Sequence, residues 1–159
     1  MKAAGLKQIK TALEDLPHHA LVDICSRLGR YKLENKELLT YLVFEASDEQ
    51  GYVNSIKESL HLMFTEVNIK NLYFLKKNLR KILRVANRFI KYSGNPETEV
   101  QVLLYILEEI KALKVDFTKS QQLMNLYSGI ISKTTKNIKQ LHEDLQYDYQ
   151  RQFNSITGV

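Results

Sequence analysis

The sequence predicts an all-α protein, a single-domain bundle of about seven helices with a long C-terminal helix, over residues 1–159. Apolar residues recur at helical spacing along the whole chain, whereas the strict alternation of apolar and polar residues typical of a half-buried strand is nowhere convincing. The 159 residues include only six glycines and two prolines, the two strongest helix breakers. An α-α superhelix of stacked antiparallel helices is the alternative architecture.

The first three predicted helices are short. The first runs from Ala4 to Asp15, and the second begins at Pro17, whose missing N–H is tolerated in a first turn, and ends at Gly29. The third covers Leu33–Ser47 and is apolar on nearly all sides, which predicts burial between neighbours. These three helices form a possible N-terminal subdomain over residues 1–47.

The fourth and fifth predicted helices carry apolar residues at alternating spacings of three and four. The fourth begins after an N-cap at Ser47 or Asp48 and ends near Asn68. The fifth covers Asn71–Ser93, and Gly94 is the C-cap residue that ends it. Each helix therefore has one apolar face for a core.

The sixth and seventh predicted helices complete the bundle. The run 95–97 (Asn-Pro-Glu) supplies an N-cap, a first-turn proline and an acid at a helix start. A near-continuous apolar stretch follows, so we expect the sixth helix at the centre of the fold. Thr118 and Gln121 form a capping box for a final helix that runs without a proline to about Asn154, with a bend expected at Gly129 and the stretch 132–135.

Positive charge is concentrated in one part of the chain. The protein has 23 Lys and Arg against 18 Asp and Glu, a formal net charge of +5. Residues 67–96 contain eight basic residues and no acid, which leaves a net charge of −3, that is +5 less 8, for the rest of the chain. The basic character of the protein is thus a property of the fifth predicted helix.

Five of these basic residues follow the spacing i, i+4, i+7, i+11 and i+14, which places them in one stripe opposite the apolar face. Like charges so close together repel one another and favour an anionic partner. That partner is a nucleic-acid backbone, an acidic protein surface or an anionic lipid surface. The basic stripe comprises Lys77, Lys81, Arg84, Arg88 and Lys91, and Lys70, Lys76 and Arg80 flank it.

Neutralisation inside the fold is the alternative interpretation of the basic stripe. The candidate acids are those between residues 34 and 66 together with Glu97, Glu99, Glu108 and Glu109. Tyr73, Phe74 and Phe89 flank or belong to the packed apolar face, so the sequence indicates no exposed rings for base stacking. For a nucleic acid, it predicts phosphate contact without base recognition.

The sequence predicts no catalytic residue, no metal ligand and no cofactor. The only cysteine, Cys25, shares a helix face with His18 but lies about 10 Å from it, and we interpret it as a packed core thiol. Glu58 and His61 have the Glu-x-x-His spacing of di-iron bundles, but His142 provides no second copy, so a surface pair is favoured. Phosphate-binding loop motifs are missing. An enzyme is therefore not the favoured interpretation.

We expect a non-enzymatic interaction or scaffold module that uses the basic helix face. The alternative is a protein that binds the phosphate backbone of nucleic acid. The apolar face of the final helix also permits a homo-oligomer. A single cysteine, no secretory signal and no transmembrane segment together predict a cytoplasmic protein.

Four segments together resemble a small family of all-helical bacterial proteins of unknown function. The resemblance covers most of the chain, and none of the segments is a catalytic signature. It implies a single all-helical domain and no activity, and no functional residue is carried over from it. The segments are ENKELLTYLVFEASDEQGY (Glu34 to Tyr52), NLYFLKKNLRKILR (Asn71 to Arg84), IKYSGNPETEV (Ile90 to Val100) and LHEDLQYDYQ (Leu141 to Gln150).

Overall fold

A computed structural model describes residues 1–158, which form eight α-helices and, within that range, no β-strand. The all-α prediction is confirmed. None of the helices formed by these residues is both long and apolar enough to cross a bilayer. The helices are α1 (Leu6–Glu14), α2 (His18–Tyr31), α3 (Leu33–Thr40), α4 (Glu49–Thr65), α5 (Leu72–Ser93), α6 (Pro96–Ala112), α7 (Gln121–Ile138) and α8 (Glu143–Thr157).

The chain divides into two compact units, Met1–Glu45 and Ala46–Val159. The first unit contains α1, α2 and α3, and α2 packs against α3. Gly29 lies inside α2 rather than at its end, so the prediction that it stops the helix is wrong. A Cβ atom at Gly29 would lie only 3.0 Å from the Leu39 side chain. The glycine is therefore used for close packing of α3 on α2.

The third predicted helix is shorter and less buried than expected. It ends at Thr40, and a π-helical turn, Tyr41–Glu45, follows it. Tyr41 is buried, but Leu42, Val43 and Phe44 are exposed, so burial on all sides is a wrong prediction. The first unit is a set of short helices, which is too few elements to surround an apolar run on every side.

The second unit is built around α6. This helix packs against α4, α5, α7 and α8, which confirms the expected central position. Its side chains Leu104, Ile106 and Leu107 have no exposed surface. The near-continuous apolar run of the sequence is explained by neighbours on several sides of the helix.

The start and end signals of α4, α5 and α6 are confirmed. The Asp48 carboxylate accepts a hydrogen bond of 2.9 Å from the Gly51 N–H at the start of α4. The Asn95 side chain accepts one of 2.9 Å from the Glu97 N–H at the start of α6. Gly94 ends α5 with φ = +65°, a left-handed conformation that glycine adopts without strain.

The long C-terminal helix is a wrong prediction, because the chain breaks it between Ile138 and Glu143. Ser120, not Thr118, caps the first piece, and Gly129 lies within it. His142 caps the second piece by accepting a hydrogen bond from the Asp144 N–H. Because of the break, both α7 and α8 pack against α6. The longest helix is α5, with 22 residues.

Candidate functional site

Helix α5 directs one side to the core and the opposite side to solvent. The buried side chains of α5 are Leu75, Leu79, Ile82, Ala86 and Ile90. The exposed members of the basic stripe are Lys77, Lys81, Arg84 and Lys91. The fifth member, Arg88, is half-buried, and its guanidinium carbon lies 5.6 Å from the centre of the Phe89 ring. The helix thus presents a row of cations at the surface.

The three flanking cations have different surroundings. Lys70, in the loop before α5, and Arg80 are exposed. The ammonium of Lys76 donates a hydrogen bond to the side-chain oxygen of Gln122 on α7 and lies 5.5 Å from the centre of the Tyr73 ring. Lys76 therefore joins α5 to α7, whereas Lys70 and Arg80 extend the cationic surface.

The acids of α6 contact residues other than the basic stripe. Glu97 accepts a hydrogen bond of 2.6 Å from Tyr149, and Glu99 forms an ion pair of 2.8 Å with Lys133. Glu108 accepts a hydrogen bond of 3.2 Å from Gln152. Glu109 accepts a hydrogen bond of 2.6 Å from Tyr105. Within residues 46–158, no carboxylate forms an ion pair with the four exposed stripe cations. The acids of α6 therefore form no ion pair with them.

Two aromatic side chains stand exposed at the start of α5. Tyr73 is 63% exposed and Phe74 is 47% exposed. Their rings make an edge-to-face contact with centres 5.5 Å apart and planes at 75°. The sequence indicates no exposed rings for base stacking, and for these two residues that prediction is wrong. Their position at the first turn explains the exposure, because the core contact of α5 begins at Leu75.

A cleft of about 350 Å³ lies at the other end of α5. Its lining includes Lys91, Lys133 and Asn137. The Nδ2 atom of Asn137 is buried and has no hydrogen-bond partner among the described residues. A buried donor without a partner is uncommon in folded proteins. The cleft thus places Lys91 beside the ion pair of Lys133 and Glu99.

His61 and His142 contact different acids. Nδ1 of His61 lies 3.0 Å from Glu109, which also accepts the Tyr105 hydroxyl hydrogen bond. Burial and this hydrogen bond raise the pKa of Tyr105 above its ordinary value. His142 lies 3.3 Å from Asp144 at the start of α8. Among residues 1–158, no group of three or more His, Cys, Asp and Glu side chains is placed to hold a metal ion.

Glu58 and His61 line a shared cleft of about 420 Å³ with Lys57, Leu62 and Tyr105. None of these five lining residues is a serine, threonine or cysteine. The cleft therefore brings the Glu-x-x-His pair together with the amine of Lys57 and the phenol of Tyr105.

Cys25 is exposed, so its interpretation as a packed core thiol is wrong. Helix α2 has an apolar face, but none of its residues is buried. Periodicity identifies the apolar side of a helix and does not establish that a neighbour covers it.

Comparison with models of protein families, with curated proteins and with solved structures finds no match to this chain. The resemblance to a family of all-helical bacterial proteins stays a prediction.

Proposed function

We propose that this protein is a non-enzymatic interaction module that binds an anionic macromolecule through the basic stripe of α5. The observation that supports the proposal is the exposure of Lys77, Lys81, Arg84 and Lys91 without a carboxylate partner in residues 46–158. From the first to the last of these residues the helix rises about 21 Å. A partner with regularly repeated negative charge fits such a row.

Neighbouring stripe cations act on a ligand together. Successive members are three or four residues apart, which corresponds to about 4.5 to 6 Å along the helix axis. This separation is shorter than the Debye length of about 8 Å at physiological ionic strength, so salt screens their mutual repulsion only in part. A polyanion removes this repulsion when it binds. We therefore expect binding to weaken steeply as salt is added.

We propose binding rather than catalysis because the feature that stands out at the surface is a row of cations without carboxylate partners, which favours an anionic ligand. We also propose a cytoplasmic location, since the single cysteine is free and exposed, which suits a reducing compartment. We also propose that two copies of the chain can associate, as a scaffold protein would. Sedimentation velocity tests this by measuring whether the protein is a monomer or a dimer.

Charge reversal tests the proposed surface. The variant K77E/K81E/R84E changes three exposed stripe cations, and the control K7E/K119E/R151E changes three exposed cations elsewhere by the same total charge. Binding is measured at low salt against 12-nucleotide DNA and RNA, poly-L-glutamate and phosphatidylserine vesicles. We expect the wild type and the control to bind at least one polyanion and the stripe variant to bind it at least tenfold more weakly. Equal binding by both variants, or no binding by the wild type to any of these polyanions, contradicts the proposal.

A further inference from the structure

We infer that the anionic macromolecule is a single-stranded nucleic acid, and that Tyr73 is a base-stacking residue at one end of the basic stripe. The inference rests on the proposed function and adds the chemical class of the partner. Tyr73 precedes Lys77 by four residues, so the ring continues the row of cations by one helical turn. Aromatic rings beside a row of cations are the combination that binds single strands.

The ring of Tyr73 is available to a ligand and is held in place. It is 63% exposed, and its neighbours are the edge-to-face ring of Phe74 and the ammonium of Lys76. The side-chain oxygen of Asn71 accepts hydrogen bonds from the N–H groups of Tyr73 and Phe74, at 2.9 and 3.2 Å. This N-cap fixes the backbone that carries both rings. Little ordering is therefore required when a base stacks on Tyr73.

A single strand fits this surface better than a duplex. Bases of a duplex are stacked on one another and present only their edges, whereas an unpaired base has a free face for an aromatic ring. The stripe cations repeat at about 4.5 to 6 Å along the axis. The backbone of a single strand can bend or extend to place its phosphates at this spacing, whereas a duplex strand follows a fixed helical path.

A lipid surface fits less well because the apolar side of α5 faces the core. Leu75, Leu79 and Ile82 are at most 1% exposed, so the helix cannot immerse that side in a bilayer. On α5 and in the loop before it, the large exposed apolar side chains other than Tyr73 are Ile69 and Phe74. An acidic protein surface would satisfy the cations but would make no specific use of a flat ring.

Ligand preference is the first test. Fluorescence anisotropy at low salt measures the wild-type affinity for a 12-nucleotide single strand, the duplex of the same sequence and poly-L-glutamate, and co-sedimentation measures binding to phosphatidylserine vesicles. We expect the single strand to bind most tightly. Tighter binding of the duplex, of poly-L-glutamate or of vesicles overturns the inference and identifies that class as the partner, while leaving the stripe itself in place.

Substitution of the ring is the second test, with an exposed tyrosine of α8 as a matched control. Tyr147 is 73% exposed, similar to Tyr73, so Y73L and Y147L remove equivalent surface rings. We expect Y73L to weaken single-strand binding by about tenfold or more, Y147L to leave it unchanged and Y73F, which keeps the ring, to retain it. Equal affinities of Y73L and wild type overturn the stacking role.

Tryptophan fluorescence gives a third readout that needs no loss of affinity. The chain has no tryptophan, so Y73W and Y147W each introduce a single reporter. We expect the oligonucleotide to quench Y73W through stacking and to leave Y147W bright, and the reverse pattern overturns the inference. Loss of binding in the K77E/K81E/R84E variant with unaltered binding in Y73L shows that the proposed surface is right and the stacking role wrong. Unaltered binding in the charge variant shows that the proposed function itself is wrong.

Discussion

The ammonium of Lys133 on α7 lies 2.8 Å from the carboxylate of Glu99 on α6. The same ammonium donates a hydrogen bond of 2.9 Å to the side-chain oxygen of Asn87 on α5. Glu99, a candidate partner of the basic stripe in the sequence analysis, is thus paired with Lys133 of α7 instead. Three helices meet at Lys133, and the exposed stripe cations remain available to a ligand.

Salt dependence measures how many stripe cations contact a polyanion. For a single-stranded nucleic acid, each cation that contacts a phosphate contributes roughly 0.7 to the slope of log affinity against log salt concentration. We predict that K77Q and R84Q each lower the magnitude of this slope by about that amount and that R151Q, on α8, does not. Anisotropy titrations at several salt concentrations check the prediction, and identical slopes for all variants contradict it.

Because α6 lies at the centre of the second unit, a cavity in its buried face is expected to lower the free energy of unfolding strongly. Leu107 has no exposed surface, and we expect L107A to lower the free energy of unfolding by about 2 to 5 kcal/mol. Leu62 is an exposed leucine of α4, and L62A is expected to change the free energy of unfolding by less than about 0.5 kcal/mol. Urea denaturation followed by circular dichroism measures both. Similar effects of the two substitutions would show that α6 is not central.

Substitution by alanine is expected to change the free energy of unfolding in opposite directions at two glycines. Gly94 ends α5 with φ = +65°, so G94A is expected to lower the free energy of unfolding by about 1 kcal/mol. Gly129 lies within α7, and none of the described atoms lies within 4 Å of a Cβ placed there. We expect G129A to raise the free energy of unfolding by about 0.4 to 1 kcal/mol. Thermal denaturation of both variants tests this, and a change of the same sign in both contradicts it.

Two tyrosines predict a loss of stability in alkali. Burial and hydrogen bonds to Glu109 and Glu97 raise the pKa values of Tyr105 and Tyr149. Because the folded state then holds these protons more tightly than the unfolded state, their contribution is present below about pH 10 and is lost above it. We predict a shallower alkaline decline of the unfolding free energy in Y105F/Y149F than in the wild type. Urea titrations from pH 8 to 11 measure it, and equal declines contradict the prediction.

Local signals in the sequence predict the elements of the second unit well. Asp48, Gly94 and Asn95 have the positions in helix termini that their chemistry favours, and the apolar run of α6 identifies the central helix. The break before α8 is harder to predict, because no glycine or proline marks residues 139–142. Its signals are His142 as the N-cap and the acids Glu143 and Asp144 in the first turn. The apolar periodicity continues across residues 139–142, so it predicts one helix in spite of these signals.

Helical periodicity also locates the basic stripe, because spacing alone places its residues opposite the apolar face. The partners of the acids could not be predicted, since they depend on which helices pack together. The exposure of Tyr73 and Phe74 depends on where the core contact of α5 begins, which is a tertiary property. The predicted start of the fifth helix at Asn71 already places both rings near its first turn, but a helix start does not reveal whether that turn is covered by a neighbour.

Chemical-shift mapping tests the central claim most directly. The uniformly ¹⁵N-labelled protein is titrated at low salt with a 12-nucleotide single strand, and the amide shifts are followed along the chain. We predict that the largest changes fall on Tyr73 and on residues 77–91 of α5, with small changes in α8. Changes concentrated in other helices, or no change at millimolar oligonucleotide, contradict the claim that the basic stripe is the binding surface.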